Sequence, residues 1–104
     1  MHATIRRFES VDQARSDEIV KQVDDTLVPL LSKLPGFDSY RLIDVGHGVM
    51  TSISCFDTAE QAEESNRVSA TWVRDQALED ALPKPPRTMS GGIVVQKDAV
   101  HVPA

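Results

Sequence analysis

The sequence predicts an α+β fold in which two helices cover one face of a four-stranded antiparallel sheet. Three observations predict it. The patterns along the 104 residues follow the order strand, helix, strand, strand, helix, strand. The strand patterns are apolar on both faces, and only two helices are available to cover one of those faces. The second face therefore needs another cover, and the simplest one is a second copy of the chain packed sheet to sheet.

The first strand and the first helix are predicted from alternation and periodicity. Residues 3–9 alternate as a strand does. Ser10, followed three residues later by Gln13, has the pattern of a capping box that begins a helix. Apolar residues then recur at three- and four-residue steps. We expect Pro29 to kink this helix, because proline removes a backbone donor, and Pro35-Gly36 to end it.

A hairpin follows the first helix. Residues 37–45 and 49–56 both read as strands, the second of them rich in β-branched residues and serine. Gly46-His47-Gly48 between them has the permissive backbone that a tight hairpin turn needs. The two strands are therefore predicted to pair with each other.

The second helix and the fourth strand complete the pattern. Asp57 or Thr58 is predicted to cap the helix, which we expect to continue through Leu82 to the extended linker at residues 83–86. Ile93-Val94-Val95 is the predicted centre of the fourth strand. The resulting β-α-β-β-α-β order is that of the ferredoxin-like split unit.

Alternation along the strands assigns residues to the face that the helices leave open. A tail or linker that folds over this face of a monomer is the alternative to the dimer. The residues that we expect there are Thr4, Arg6, Phe8, Arg41, Ile43, Met50, Ser52, Ser54, Phe56, Val94 and Gln96.

Composition limits the function classes. The chain is long enough for one domain, predicted at residues 3–97, with a short C-terminal tail at 98–104. A net charge of −5 argues against nucleic acid, and no apolar run is long enough for a membrane. The single cysteine, Cys55, fits a reducing compartment, so we expect a cytoplasmic protein. The histidines lie at a terminus, a turn and the tail, so no metal site is expected.

Four stretches of the chain carry a family resemblance. They are residues 4–9, 35–37, 40–49 and 62–65. On these stretches the chain resembles the dimeric α/β-barrel superfamily, and in particular its antibiotic biosynthesis monooxygenase-like domains. The resemblance covers residues 3–97 and implies a homodimeric barrel of ferredoxin-like units. The resemblance is specific for the fold and not for the reaction, because the superfamily also holds haem-degrading enzymes and decolouring peroxidases.

The resemblance also implies an activity. Members that act as cofactor-free oxygenases oxidise aromatic, polyketide-like substrates with a tryptophan, an asparagine and nearby hydrogen-bonding residues. Trp72 and Asn66 are the corresponding residue types in the second helix, but a separation of six residues turns them about 240° apart. The haem-degrading activity requires a histidine in that helix, and this chain has none there. The expectation is an oxidoreductase without a cofactor.

Arg6 and Arg41 are the strongest candidates for substrate binding. We expect both on the enclosed sheet face, where an arginine needs an anionic or carbonyl partner. One hypothesis is that they bind the enolate, phenolate or carboxylate of a small organic substrate. The alternative is a salt bridge across the dimer to Asp44, Asp38 or Glu9.

Other candidates have equally plain structural explanations. Tyr40 would lie beside these arginines, and Ser52 and Ser54 would offer hydroxyl groups to a ligand or simply allow a tight sheet contact. Trp72 lies on the apolar side of its helix, as a core residue also would. Cys55 lies in mid-strand and is interpreted as a buried structural residue.

Two function classes follow. The first is a cofactor-independent monooxygenase acting on an aromatic or enolisable small molecule. The second is a non-catalytic dimer that binds a small ligand or has a regulatory role. A pocket with converging polar groups would favour the enzyme, whereas a space filled by Phe8, Met50 and Phe56 would favour the second class.

Overall fold

The computed structural model describes residues 1–99 and has the predicted order of elements. All strand pairs are antiparallel, and the sheet has the order β2-β3-β1-β4. The strands are β1 (His2–Phe8), β2 (Phe37–Gly46), β3 (Val49–Phe56) and β4 (Arg87–Gly92). The predicted α+β fold is confirmed. Residues 100–104, most of the predicted tail and His101 among them, lie outside the described residues.

The first helix, α1, is continuous but irregular. It comprises Ser16–Gln22, a π-helical turn at Val23–Leu27 and Val28–Ser32, and a 3-10 turn precedes it at Gln13–Arg15. The π turn lies directly before Pro29, which has no N–H to donate to the preceding turn. The predicted perturbation at Pro29 is therefore present as a change of helical pitch.

The predicted cap of α1 is wrong by two residues. Asp12, not Ser10, caps the first turn: its carboxylate accepts a hydrogen bond of 3.1 Å from the Ala14 N–H. Ser10 itself has a left-handed backbone with φ of 57°. A residue in that conformation turns the chain and cannot be the extended cap that a capping box requires.

The second helix, α2, spans Ala59–Asp75 and begins as predicted. The Thr58 hydroxyl accepts from the Gln61 N–H, and the Gln61 side chain accepts from the Thr58 N–H, which makes a complete capping box. The helix ends earlier than the prediction of Leu82. Ala77 adopts φ of 54°, and its N–H and that of the next residue donate back to Arg74 and Val73 in a Schellman arrangement.

The fourth strand ends one residue before its predicted centre, Ile93-Val94-Val95, begins. β4 ends at Gly92, which pairs with His2 at the start of β1. Residues 93–99 pass the end of β1 and have no strand to pair with, apart from one hydrogen bond from the Ile93 N–H to the Met1 carbonyl. Val94 is consequently 94% exposed, so neither it nor Gln96 belongs to the sheet.

The predicted assignment of sheet faces is wrong for β1 and β3. The residues predicted to face away from the helices are half-buried or fully buried beneath them in the single chain. These are Thr4, Arg6, Phe8, Met50, Ser52, Ser54 and Phe56. The alternation was correct but its phase was inverted, because both faces of these strands are apolar enough to be interpreted as the inner one.

The open face therefore has a different composition from the prediction. Arg41 and Ile43 do lie there, and their register partners Ile53 and Thr51 lie beside them on β3. Ile5 of β1 pairs with Ile53 and with Met89, which is 70% exposed. The open face is thus apolar, as expected, but its aliphatic residues differ from those predicted.

No helix within residues 1–99 is long and apolar enough to cross a membrane.

Small residues on α2 set the distance between this helix and the sheet. Ala62, Ser65 and Ser69 are buried on the side that faces β1. The Ser65 and Ser69 hydroxyls donate to carbonyls of the preceding helical turn, at 2.6 and 2.8 Å. Because these side chains are short and satisfied locally, α2 lies close enough for its backbone to contact a side chain of β1.

Candidate functional site

A buried arginine lies where α2 approaches β1. Arg6 is 3% exposed, and its Nη1 donates to Asn66 Oδ1 at 3.0 Å and to the Ser65 carbonyl at 3.4 Å. Its Nε is buried and has no hydrogen-bond partner within residues 1–99. No carboxylate in that part of the chain forms an ion pair with it. Arg6 is thus a buried cation held by neutral groups.

A short hydrogen-bonded chain positions Asn66. Its Nδ2 donates to Thr4 Oγ1 at 3.1 Å, and Thr4 Oγ1 also accepts from the Ser90 hydroxyl at 2.8 Å. Thr4 lies two residues before Arg6 on the same face of β1, so one strand presents both side chains to Asn66. The strand, the helix and β4 together fix the orientation of the Asn66 amide.

Tyr40 lies beside Arg6 on the same face of the sheet. Burial raises the pKa of the Tyr40 phenol, although the nearby guanidinium opposes that shift. Burial lowers the pKa of Arg6, and Tyr40 offsets part of this effect. The two side chains are close enough to influence each other, but no hydrogen bond of ordinary geometry joins Arg6 Nε to the phenol. Tyr40 is therefore a neutral hydroxyl next to a cation.

The Ser52 and Ser54 hydroxyls are buried and lack hydrogen-bond partners among residues 1–99. Both serines lie on one face of β3, where Ser52 is the register partner of Arg6 and Ser54 is that of Thr4. Buried polar groups are normally satisfied, so unpartnered hydroxyls beside an unpartnered guanidinium nitrogen form an unusual cluster. The cluster lies between the sheet and the helices and not between two sheets.

An open cleft of about 460 Å³ extends from Arg6 to the surface. Its floor is formed by Arg6 and Phe8, and its walls by Asn66 and Ser69 of α2 and by the proline-rich segment 83–86. Thr88 of β4 closes the far side. The lining combines apolar residues with polar ones, and it also includes the charged residues Arg74, Glu79 and Lys84.

A second space of about 30 Å³ lies behind the cleft, between the sheet and the helices. Arg6 and Tyr40 contact it from the sheet, and Trp72 contacts it from α2. The Trp72 indole N–H donates to Thr26 Oγ1 at 2.7 Å, in the π-helical turn of α1. This inner cavity is small because buried core residues, Met50 and Trp72 among them, pack around it.

The structure brings most of the predicted site residues to one region. Arg6, Tyr40, Ser52, Ser54, Asn66 and Trp72 all lie between the sheet and the helices. Asn66 lines the cleft, Trp72 lines the inner cavity, and Arg6 lines both. The separation of Asn66 and Trp72 predicted from the helical angle agrees with these two locations.

Arg41 does not belong to this region, and the prediction that it shares a sheet face with Arg6 is wrong. Arg41 pairs with Ile53, whereas Arg6 pairs with Ser52, so the two arginines lie on opposite faces of the sheet. Arg41 is exposed on the open face. Their register partners, Ser52 and Ile53, are adjacent on β3 and therefore point to opposite faces of the sheet. The prediction placed both arginines on one face because its phase for β1 was inverted.

Some residues of the site were not predicted. Thr4 orients Asn66, and Ser69, Thr88 and segment 83–86 form walls of the cleft. The i, i+2 spacing of Thr4 and Arg6 was a usable signal, since it places both on one strand face. The walls depend on where α2 ends, which the hydrophobic pattern alone did not reveal.

Within residues 1–99 no group of three or more metal-ligand side chains converges.

Comparison with known proteins identifies the fold. No family model matches the sequence, and no curated protein matches it either. A candidate antibiotic biosynthesis monooxygenase from Nitrosomonas europaea superposes with a TM-score of 0.69 at 16% identity, over 91% of this chain and 100% of that one. The ActVA-Orf6 monooxygenase of Streptomyces coelicolor, in complex with nanaomycin D, gives 0.65 at 13% identity, over 99% and 92%.

A dimeric ferredoxin-like protein from an uncultured marine organism gives a TM-score of 0.70 at 12% identity, over 95% of this chain and 92% of that one. The fold is that of the antibiotic biosynthesis monooxygenase-like domains. The resemblance inferred from the sequence is thereby confirmed for the architecture. At these identities the likeness concerns the fold, and the activity has to be argued from the site.

Proposed function

We propose that this protein is a small cofactor-independent monooxygenase that acts on an aromatic or enolisable small molecule. The observation that carries the proposal is Arg6, a buried guanidinium that lines the cleft and has no carboxylate partner within residues 1–99. A buried cation without a counter-charge favours an anionic ligand, because the ligand supplies the missing half of the ion pair. An enolate or phenolate in the adjoining cleft fits that requirement.

The size and lining of the cleft support a ligand of this class. About 460 Å³ is within the usual range of 300–1,000 Å³ for small-molecule sites. Phe8 and the prolines of segment 83–86 provide apolar walls for a ring system. Asn66 and Thr88 add hydrogen-bonding groups at the edge, so an aromatic molecule with one acidic oxygen has a suitable partner at each part of its surface.

The chemistry needs no external reductant. A substrate CH₂ group that is conjugated with a carbonyl, directly or through an aromatic ring, loses one proton, and the resulting enolate transfers an electron to dioxygen. The radical pair combines and forms a C–O bond, which gives a peroxide. Loss of the second C–H proton breaks the O–O bond, and the departing hydroxide takes up a proton as water. One CH₂ and one O₂ thus become one C=O and one H₂O, with all four electrons coming from the substrate.

Within this scheme the protein acts through electrostatics and position. Arg6 stabilises the enolate oxygen and thereby lowers the pKa of the substrate C–H, in a site where burial strengthens the interaction. Asn66 holds the Arg6 guanidinium in place without neutralising it. Tyr40 stays protonated and provides a neutral hydroxyl on the inner side. Ser52, Ser54 and Trp72 complete the proposed site.

Self-association is part of the proposal. The open face carries Ile5, Ile43, Ile53 and Met89, which a second copy of the chain would cover. The related marine protein bears the description dimeric. Sedimentation equilibrium should give twice the chain mass for the native protein and the chain mass for Ile43→Lys. A native monomer at micromolar concentration would refute this part.

A cytoplasmic location is also proposed, and the free, buried Cys55 is compatible with it.

One observation favours the second candidate, a non-catalytic binding protein. Met50 and Phe56 are fully buried, and the space behind Arg6 is only about 30 Å³. A ligand is therefore confined to the outer cleft, where it could be bound without reacting. Oxygen consumption distinguishes the two candidates, because both predict binding through Arg6.

The test uses 1,8-dihydroxyanthrone, which has an acidic CH₂ group between two aromatic rings. We expect the protein to accelerate oxygen uptake with one O₂ consumed per substrate. With ¹⁸O₂, one labelled atom should enter the new carbonyl and the other should appear in water. Arg6→Met should reduce kcat/KM at least tenfold. Arg67→Met, the same change at an exposed position of α2, is the matched control and should have no effect.

The outcomes separate the hypotheses. Binding of the anthrone without oxygen uptake would support the binding protein and refute the oxygenase. Equal activity of Arg6→Met and Arg67→Met would show that the buried guanidinium has no role in either.

A further inference from the structure

The inner cavity is apolar in spite of the polar residues around it. Twelve residues line it, and nine of them are hydrophobic, Trp72 included. The Ser69 hydroxyl donates to the Ser65 carbonyl at 2.8 Å, and the Trp72 indole N–H donates to Thr26. These two polar groups are therefore satisfied elsewhere, and Arg6 and Tyr40 are the remaining polar residues in the lining.

The volume of the cavity is suited to a very small molecule. A cavity of about 30 Å³ has room for one or two molecules of the size of water or dioxygen. A water molecule normally needs two to four polar partners, whereas an apolar diatomic gas needs none. Small apolar cavities in proteins stay dry and bind apolar guests. Nine hydrophobic residues among the twelve in the lining thus make the cavity suitable for a small apolar gas.

The inner cavity shares a wall with the cleft. Arg6, Phe8, Ser69, Val73 and Leu82 line both spaces. A molecule in the inner cavity is therefore separated from a ligand in the cleft only by these side chains. Arg6 is the one charged residue in the wall of the inner cavity, and it also lines the cleft.

We propose that the inner cavity binds dioxygen behind the substrate cleft. This inference rests on the proposed oxygenase function and extends it by giving each reactant its own compartment. The substrate occupies the cleft with its anionic oxygen on Arg6, and O₂ reaches the reacting carbon from the sheet side. The guanidinium then also lies next to the superoxide that the first electron transfer produces, and stabilises its negative charge.

The binding of O₂ is measured by methyl NMR relaxation of the wild-type protein under several atmospheres of O₂, with N₂ as the reference. Dioxygen is paramagnetic, so methyl protons near a bound molecule relax faster. We expect the increment at Val23 and Leu27 to be at least threefold larger than at Leu31 and Leu78, which are also buried but do not line the cavity. Equal increments, as a water-filled or closed cavity would give, would overturn the inference.

A variant that fills the cavity provides the second test. Val23→Ile adds one methylene to its wall, and Val68→Ile, the same change on another part of the core surface, is the control. Val23→Ile should abolish the selective increment at Leu27 and raise the KM for O₂ severalfold. The anaerobic Kd for 1,8-dihydroxyanthrone should stay unchanged. A change in that Kd with an unchanged KM for O₂ would contradict the assignment.

The failure of this inference differs from the failure of the proposed function. Selective relaxation in a protein without oxygenase activity would support the gas-binding cavity and refute the oxygenase. Oxygenase activity with uniform relaxation increments would leave the function in place and overturn the dioxygen site.

Discussion

Replacement of Arg6 by methionine should leave the protein as stable as before, or more stable, although it removes a buried, hydrogen-bonded side chain. Methionine keeps most of the length and the apolar stem of arginine, so little space is vacated. What it removes is a charge that is 3% exposed and has no ion-pair partner within residues 1–99.

The magnitude follows from two opposing contributions. The substitution loses the hydrogen bonds to Asn66 and to the Ser65 carbonyl, of 3.0 and 3.4 Å, which together contribute about 2–4 kcal/mol. It also removes the desolvation penalty of a buried ion, which is several kcal/mol even after relaxation. Asn66 Oδ1 retains a neighbour, because the Thr4 hydroxyl lies at 3.3 Å. The net change in the free energy of unfolding should be between zero and about 2 kcal/mol of stabilisation.

Urea unfolding at pH 7, followed by the fluorescence of Trp72, measures this difference. The same titration in the presence of 1,8-dihydroxyanthrone adds a second readout. A ligand at a hundredfold excess over its Kd stabilises the native state by about 2.7 kcal/mol, and that increment should occur in the wild type and be absent in Arg6→Met. A loss of more than about 1 kcal/mol in the ligand-free variant would refute the reasoning, because Arg6 would then be a structural residue.

Three further predictions concern local features. Ala77→Gly should raise the free energy of unfolding by roughly 0.5–1 kcal/mol, because residue 77 has a left-handed backbone; no gain in urea would contradict this. Thr58→Ala should lower it by about 1 kcal/mol through loss of the capping box, whereas the exposed Thr71→Ala should not. Tyr40 has a raised pKa, so the unfolded chain ionises first, near pH 10, and stability should fall from pH 9 to 11. Tyr40→Phe should flatten that slope, and identical slopes would disprove the assignment.

The elements of the fold were predictable because they depend on local periodicity and capping. Thr58 and Gln61 identify the start of α2 from the sequence alone, and the hairpin at Gly46-His47-Gly48 follows from its glycines. The end of α2 was not predictable in this way. Ala77 adopts a conformation that alanine rarely takes, so no residue-type signal marks the position.

The site was predictable by residue type but not by face. Arg6 was selected because a buried arginine needs a partner, and that reasoning applies to either side of the sheet. The phase of β1 depends on which face the helices cover, and Ile5 and Phe8 offer comparable apolar surface on the two sides. The fourth strand was misplaced for a tertiary reason as well: β1 offers no partner beyond His2, whatever the β-propensity of Ile93-Val94-Val95.

The neutral partner of Arg6 has a consequence for how the site can change. Asn66 and an aspartate have nearly the same shape, so Asn66→Asp would keep the geometry and supply the missing counter-charge from within the protein. The guanidinium would then be satisfied before any ligand arrived, and an incoming anion would meet a carboxylate. The exchange of one amide nitrogen for oxygen would thus convert a site that needs an anionic ligand into one whose arginine is neutralised by the protein itself, without any movement of the backbone.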